Sequence, residues 1–279
     1  MNQLKKPVVV ALTIITCLFS FSSCKKDSNN KTVDADDPAS TDPTLTLVWS
    51  DEFNGSSIDT TKWNFEVNGD GGGNGEAQYY TDRSTNAAII DGKLVITARK
   101  ENYLGKSYTS ARMTTQNKAA YTYGRVEARI QLPMGRGMWP AFWMLSAKTP
   151  LEWPHDGEID IMEAVGYRPD TTFSNIHCTA VGYGDLLPVP DYGSTYHVYA
   201  TDWTADSLKF YVDDRLIVSY ANAHLADATA AYNQWPFNHN FFMILNVAVG
   251  GAWGGINGID DTIFPQRMSV DWVRVYQRK

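Results

Sequence analysis

Cysteine is scarce in this chain: 279 residues carry three, Cys17, Cys24 and Cys178. Cys17 lies in an apolar leader and Cys24 at its end, so Cys178 alone would remain as a free thiol after processing. No intramolecular disulfide can then form, which excludes a disulfide-stapled scaffold. A folded domain of about 230 residues can bury enough core without one. Histidine is sparse as well, with five residues and no metal-ligand spacing among them, so no zinc motif is present. Positive charge is in deficit, the formal net charge being −7. An acidic surface argues against nucleic acid as a partner and is compatible with a neutral polysaccharide. The glycine-rich stretch Gly69–Gly75 lacks the Lys-Ser/Thr ending of a phosphate loop. Helical periodicity is confined to Ala221–Tyr232, and there is no internal repeat.

Long apolar runs are missing too, apart from Val8–Phe21, which follows Lys5 and Lys6. That pattern reads as a secretory signal over residues 1–23. It is too short, and too closely followed by small and polar residues, for a membrane span. Its end, Phe21-Ser22-Ser23-Cys24, resembles a bacterial lipoprotein box. Cleavage before Cys24 would leave that cysteine lipidated; a plain signal with an incidental cysteine is the alternative. Lys25, Lys26 and the polar stretch behind them favour lipidation. The expected location is therefore outside the cytoplasm, either anchored by lipid to the bacterial outer membrane or free in the periplasm or medium. Losing Lys5 and Lys6 moves the net charge from −7 to −9 (−7 minus two). Residues 24–44 have almost no large apolar side chains and read as a disordered tether. One folded domain, expected to be monomeric, spans residues 45–279.

What the domain has in abundance is strand pattern. Val126, Ala128, Ile130 and Leu132 alternate with Arg125, Glu127, Arg129 and Gln131. Leu94, Ile96 and Ala98 alternate with Val95, Thr97 and Arg99. Further runs are Met138–Leu145, Tyr196–Trp203, Leu208–Val212, Leu216–Tyr220, Phe241–Val249 and Val270–Tyr276. Turn signals such as Asp91-Gly92, Asp213-Asp214 and Gly250-Gly251 separate them. Many strands with regular turns predict an all-β fold, a jelly-roll sandwich of two curved antiparallel sheets with a concave cleft suited to a polymer.

One run stands apart: Trp153-Pro154-His155-Asp156-Gly157-Glu158-Ile159-Asp160-Ile161-Met162-Glu163. Three acids share a short apolar strand, where like charges raise one another's pKa. Alternation puts Glu158 and Asp160 on one face and would turn Glu163 away. A β-bulge near Ile161-Met162 restores Glu163 to their side. Two glutamates could then flank a glycosidic bond, with Asp160 between them. A solvent-facing acidic stripe on an edge strand is the bland alternative; apolar Ile159 and Ile161 argue for a buried opposite face.

Nine Trp and fifteen Tyr supply sugar-stacking surface. Trp139, Trp153 and Trp253 adjoin Gly or Pro and are expected in the cleft, whereas Trp49, Trp63, Trp203 and Trp272 are expected in the sandwich core. Trp143 fits either place. Asn74 and Glu76 follow the glycine-rich loop and could bind hydroxyls, or form a polar surface loop. His177 could meet substrate or the acids, or be a satisfied core histidine.

These residues resemble glycoside hydrolase family 16, and within it the bacterial laminarinases, over Val48 to Gln277. The most specific piece is Trp153-Pro154 with Gly157-Glu158-Ile159-Asp160-Ile161-Met162-Glu163. Supporting pieces are Asp51-Glu52-Phe53, Glu76-Ala77-Gln78-Tyr79-Tyr80, Tyr108–Arg112, Tyr123–Arg129, Gly137–Leu145, Asn246–Gly251 and Asp271–Tyr276. The resemblance implies a jelly roll and retaining hydrolysis of β-1,3 or mixed β-1,3/1,4 glucan. It casts Glu158 as nucleophile, Glu163 as general acid/base and Asp160 as the residue that orients and tunes them. It implies that Arg112 joins the substrate-binding residues. It implies no cofactor for catalysis, but a structural calcium at Glu52, Gly92 and Asp271, held partly through backbone oxygens; a solvent-facing strand position is the alternative for Asp271. His155-Asp156, and the absence of proline after Trp253, depart from the common laminarinase pattern on the side expected to hold the glycone. Two other functions fit the same residues: a galactan hydrolase of agarase type, and a non-catalytic β-glucan-binding protein. Retention of all three acids argues against the second.

Overall fold

A computed structural model of the protein describes residues 42–223 and 232–279. The expected signal segment, Cys24 and the tether up to residue 41 lie outside the described residues, as does most of the expected helix Ala221–Tyr232.

Seventeen strands and no helix occur among the described residues. They begin with β1 (Leu45–Asp51), β2 (Asn64–Glu66), β3 (Gln78–Tyr80), β4 (Ala87–Ile90), β5 (Lys93–Tyr103) and β6 (Lys106–Ser110). Next come β7 (Arg112–Thr114), β8 (Gly124–Gln131), β9 (Met138–Ser146), β10 (Glu158–Glu163), β11 (Thr171–His177) and β12 (Gly182–Pro188). The last five are β13 (His197–Trp203), β14 (Ser207–Val212), β15 (Arg215–Ala221), β16 (Phe241–Val249) and β17 (Gln266–Arg278).

They form the expected jelly-roll sandwich. One sheet has ten strands, in the order β15-β14-β13-β8-β17-β5-β6-β3, with β1 paired to β17 and β4 to β5. The other has seven, β12-β11-β10-β9-β16-β7-β2. Pairing is antiparallel except between β3 and β6, which run parallel.

Alternation explains the layers. Met138, Phe142 and Met144 of β9 and Phe241, Met243, Leu245, Val247 and Val249 of β16 point inward. They meet Val126, Ala128 and Ile130 of β8 and Val270, Val273 and Val275 of β17. Each of these side chains larger than Ala128 contributes about 1.5–3 kcal/mol of burial. Trp63 and Trp203 are buried in this core as expected, and each indole N–H finds an acceptor, Asp51 Oδ2 at 2.9 Å and the Phe237 carbonyl at 3.0 Å. Trp49 packs half-buried against the core.

Trp272 departs from expectation. It is buried but belongs to the outer face of its sheet, where the Arg274 guanidinium covers its ring at 4.0 Å. A register shift between Val270 and Trp272 against β8 reverses the face that simple alternation assigns to it.

Candidate active site

Gly157 starts the decisive strand. Its φ is +84°, and a Cβ there would meet Pro236, Phe237 and Phe241 at 2.9, 3.0 and 3.1 Å. Only glycine turns the chain into β10 this tightly against the core. β10 lies between β9 and β11 in the interior of the seven-stranded sheet, which overturns the edge-strand alternative. Against β11 the register runs Asp160↔Asn175 and then Glu163↔Phe173, three residues facing two. Against β9 the slip falls between Asp160 and Met162. Ile159, Ile161 and Met162 are all in the core, so the bulge absorbs one residue where the odd spacing requires it. Glu158, Asp160 and Glu163 consequently share the opposite face.

That face is the floor of a cleft of about 620 Å³. Asp160 is 2% and Glu163 8% exposed, while Glu158 is half-buried. Glu163 Oε1 accepts the Trp139 indole N–H at 2.9 Å, and its Oε2 accepts the Asn175 amide at 2.9 Å. Glu158 Oε2 accepts the Trp153 indole N–H at 2.6 Å. Glu158 and Asp160 share a hydrogen bond. His177 Nε2 lies 3.2 Å from Asp160 Oδ2 without hydrogen-bond alignment, leaving that buried oxygen with no hydrogen-bond donor.

Burial raises all three pKa values. For Asp160 the charge of Glu163 adds to burial and holds the carboxyl well above the usual range. For Glu158, burial acts first and the charge of Asp160 second; His177 and the Trp153 hydrogen bond oppose them. Glu163 is pushed up to about 7 by burial, with the Trp139 bond opposing, the charge of Glu158 adding and the Asn175 bond opposing. Acids this close titrate as a set, each proton lost making the next harder to remove. The arrangement can hold one carboxylate charged beside one carboxylic acid near neutral pH, as double displacement requires.

The cleft walls gather most of the expected binding residues: Asn74, Arg112, Trp139, Trp143, Trp153, His177 and Trp253. Trp143 therefore faces the cleft, and its indole N–H donates to Asn246 Oδ1 at 2.7 Å. Trp253 packs edge-on to Trp139 at 5.5 Å and to Phe173 at 5.0 Å. Arg112 lies over the Trp143 ring at 4.7 Å and ion-pairs with Glu66 at 3.0 Å. His177 is a half-exposed cleft residue and not a core histidine. Glu76 is not on the open wall. It is 5% exposed and lines a recess of about 50 Å³ beneath the cleft, where its Oε2 accepts from Gln78 Nε2 at 2.6 Å and Tyr80 OH at 2.9 Å. A Cβ on Gly72 would overlap the Glu76 carboxylate at 2.3 Å, so the glycine loop folds directly onto it. Sequence reasoning missed Asn175 and Asn246. Asn246 carried a signal, being the lone polar residue in the apolar run Phe241–Val249.

Comparison with known proteins accords with this geometry. The family model for glycosyl hydrolases family 16 matches residues 74–274. A β-glucanase of Rhodothermus marinus is 42% identical over 286 residues, covering 99% of this chain and 96% of the relative. The chain belongs to glycosyl hydrolase family 16. The solved laminarinase of Rhodothermus marinus superposes with a TM-score of 0.82 at 44% identity, covering 84% of this chain and 98% of that one. SCLam, a non-specific endo-β-1,3(4)-glucanase of the same family, superposes at 0.80 with 39% identity, covering 85% of this chain and 92% of its own. As a family 16 member this protein is a glycoside hydrolase that needs no cofactor for catalysis.

At two of the three positions expected from the resemblance to hold calcium, the side chains are already engaged, which leaves their backbone oxygens as the donors. Glu52 is held by Arg274 through two contacts of 3.0 Å. Asp271 is held by Arg129 at 2.6 Å, with Lys93 at 3.8 Å. Calcium takes carboxylate oxygens and backbone carbonyls alike. Here both carboxylates are already neutralised by cations that would repel a third.

Proposed function

We propose that this family 16 enzyme cleaves internal β-1,3 linkages of glucan, including mixed β-1,3/1,4 glucan, with retention of anomeric configuration. One observation carries the reading: an interior, bulged strand aims three carboxylates at the floor of a tryptophan-walled cleft. A solved SCLam complex, whose bound ligand is a 1,3-β-D-cellobiosyl-glucose at the active site, supports a glucan as occupant.

In the first step the Glu158 carboxylate attacks the anomeric carbon. Glu163 gives its proton to the departing glycosidic oxygen, the C–O bond breaks, and a glycosyl ester of Glu158 forms. In the second step Glu163, now a carboxylate, takes a proton from water. That water attacks the anomeric carbon and frees Glu158. Burial and the charge of Asp160 raise the pKa of Glu158, but His177 and the Trp153 N–H oppose that rise, and Glu158 is the most solvent-exposed acid of the set, which suits it to the charged role. Glu163 suits the acid/base role because burial raises its pKa while Trp139 and Asn175 keep the anion within reach. Asp160 sits between them and is hydrogen-bonded to Glu158. Trp139, Trp143, Trp153 and Trp253 offer the apolar faces on which successive glucosyl rings stack.

A reducing-sugar assay on laminarin, lichenan and agarose tests the polymer, with anomeric configuration followed by NMR. Product from laminarin with retained configuration is expected; product from agarose alone would overturn the glucan reading. Glu158→Gln and Glu163→Gln should lose most turnover while still binding the polymer. Wild-type turnover in both would overturn the roles.

We further infer export of the enzyme as a monomer tethered by lipid at Cys24, supported by the leader and the Phe21-Ser22-Ser23-Cys24 box. Radiolabelled palmitate should enter the full-length chain and not Cys24→Ser, and a single-chain mass in light scattering is expected.

A further inference from the structure

The loop between β9 and β10 brings Trp153 to the mouth of the cleft. Trp153 is 61% exposed, and the nearest ring to it, His177, is 6.4 Å away and tilted. Such sparse packing does not fix an indole by itself, yet its N–H meets Glu158 at hydrogen-bond distance.

The loop is fastened at its base by Asp156, a carboxylate that is 4% exposed and takes no part in the chemistry above. Asp156 Oδ2 accepts the Glu152 amide at 2.8 Å, and the Asp156 amide donates to the Glu152 carbonyl at 2.8 Å. These two bonds close the backbone around Trp153 and Pro154. Asp156 Oδ1 accepts Tyr232 OH at 2.6 Å and Lys148 Nζ at 3.0 Å, which ties the closed loop to the end of β9 and to a separate segment. His155 adds a ring contact with Tyr232 at 4.7 Å. Burial opposes the charge on Asp156, but Tyr232, the Glu152 amide and Lys148 outweigh it and bring its pKa down to about 2. The latch therefore stays charged well below neutral pH.

We propose that Asp156 is a positioning residue: by closing the Glu152–Asp156 loop it seats Trp153 against Glu158, and so sets both the charge state of Glu158 and the sugar-stacking surface at that end of the cleft. The inference rests on Glu158 being the nucleophile. The ionisable groups that face Glu158 are Asp160 and Glu163 from its own strand, His177 from β11, Arg112 from β7 and Glu76 beneath the cleft. Asp156 bonds to none of them; its routes to Glu158 are the Gly157 backbone and the loop that carries Trp153, and the double variant separates the two.

The test is the pH profile of kcat/KM on laminarin for wild type, Trp153→Phe, Asp156→Ala and the double variant. The acid limb reports ionisation of the nucleophile in the free enzyme. Losing a hydrogen bond to a carboxylate favours its protonated form, so Trp153→Phe should move that limb up by about one pH unit. Asp156→Ala should move it in the same direction by a similar amount and raise KM several-fold, and the double variant should move it no further than the larger single shift. A limb moved by Trp153→Phe but not by Asp156→Ala overturns the latch alone, even if Asp156→Ala melts earlier. Additive shifts in the double variant also overturn it. A limb unmoved by Trp153→Phe means that the Trp153 bond does not tune Glu158 and overturns the latch, while the nucleophile role itself stands or falls with Glu158→Gln. Should Asp156→Ala not fold, Asp156→Asn and Tyr232→Phe weaken the same latch and must shift the limb in the same direction, by less.

Discussion

Replacing Glu163 by Gln should change how the protein's stability depends on pH. In the folded state Glu163 has a pKa of about 7 against an ordinary value of 4.5, a difference of 2.5 (7 minus 4.5). Between those two values the unfolded chain has released its proton and the folded chain still holds it. Stability therefore falls as pH rises through this window. Each unit of difference is worth a little over 1 kcal/mol, so an isolated acid would forfeit on the order of 3 kcal/mol from acid to alkaline pH. Glu158 and Asp160 share the charge, and each ionises more easily once Glu163 is neutral, which reduces the expected swing to about 2 kcal/mol. Gln also has a constant handicap. Trp139 and Asn175 each donate to a different carboxylate oxygen, and an amide can accept at only one of them. The variant should therefore melt at or below wild type at pH 5 and gain on it steadily up to pH 8. For a domain of this size 2 kcal/mol corresponds to about 4–8 °C. Paired thermal melts of wild type and Glu163→Gln at pH 5, 6, 7 and 8 measure the swing directly. Parallel curves, or a variant that loses ground as pH rises, would refute the account of Glu163 as a buried acid with a raised pKa.

Asn175→Leu removes one donor from the Glu163 anion without disturbing the tryptophans, so the alkaline limb of kcat should rise by about one pH unit; an unmoved limb would mean that this bond does not tune the acid. Gly157→Ala forces a Cβ into Pro236, Phe237 and Phe241 at a positive φ, and should cost about 2–4 kcal/mol in urea unfolding. Trp253→Ala strips the aromatic wall packed on Trp139 and Phe173, and should raise KM for laminarin far more than it lowers kcat. Arg274→Met leaves the Glu52 carboxylate without its bidentate partner, and should destabilise the fold by about 3 kcal/mol in urea unfolding.

Much of the fold was legible because strand alternation is a local property. β16 begins and ends where its apolar run does, and β9 and β14 differ from their runs by a single residue. The odd spacing between Asp160 and Glu163 announced the bulge, since only an extra residue returns both to one face. The same rule failed at Trp272, where a second bulge, in β17, carried no comparable signal. Trp143 could not be assigned from its own segment, because its face is chosen by how β9 lies between β10 and β16. The pairing of Glu52 with Arg274 and of Asp271 with Arg129 was also invisible, because 222 and 142 positions separate those partners.

The order of residues along the chain was enough to determine an all-β sandwich, a bulged acidic strand and a store of sugar-stacking rings, since all three follow from periodicity, spacing and side-chain type. What those acids can do was decided by tertiary contacts. Trp139 reaches Glu163 from β9, Asn175 reaches it from β11, and Asp156 holds Trp153 over Glu158 through Lys148 and Tyr232. A carboxyl's acidity depends on the water excluded around it and on the charges and donors within a few ångströms. Those neighbours come from distant parts of the chain, brought together only when the two sheets close on their core.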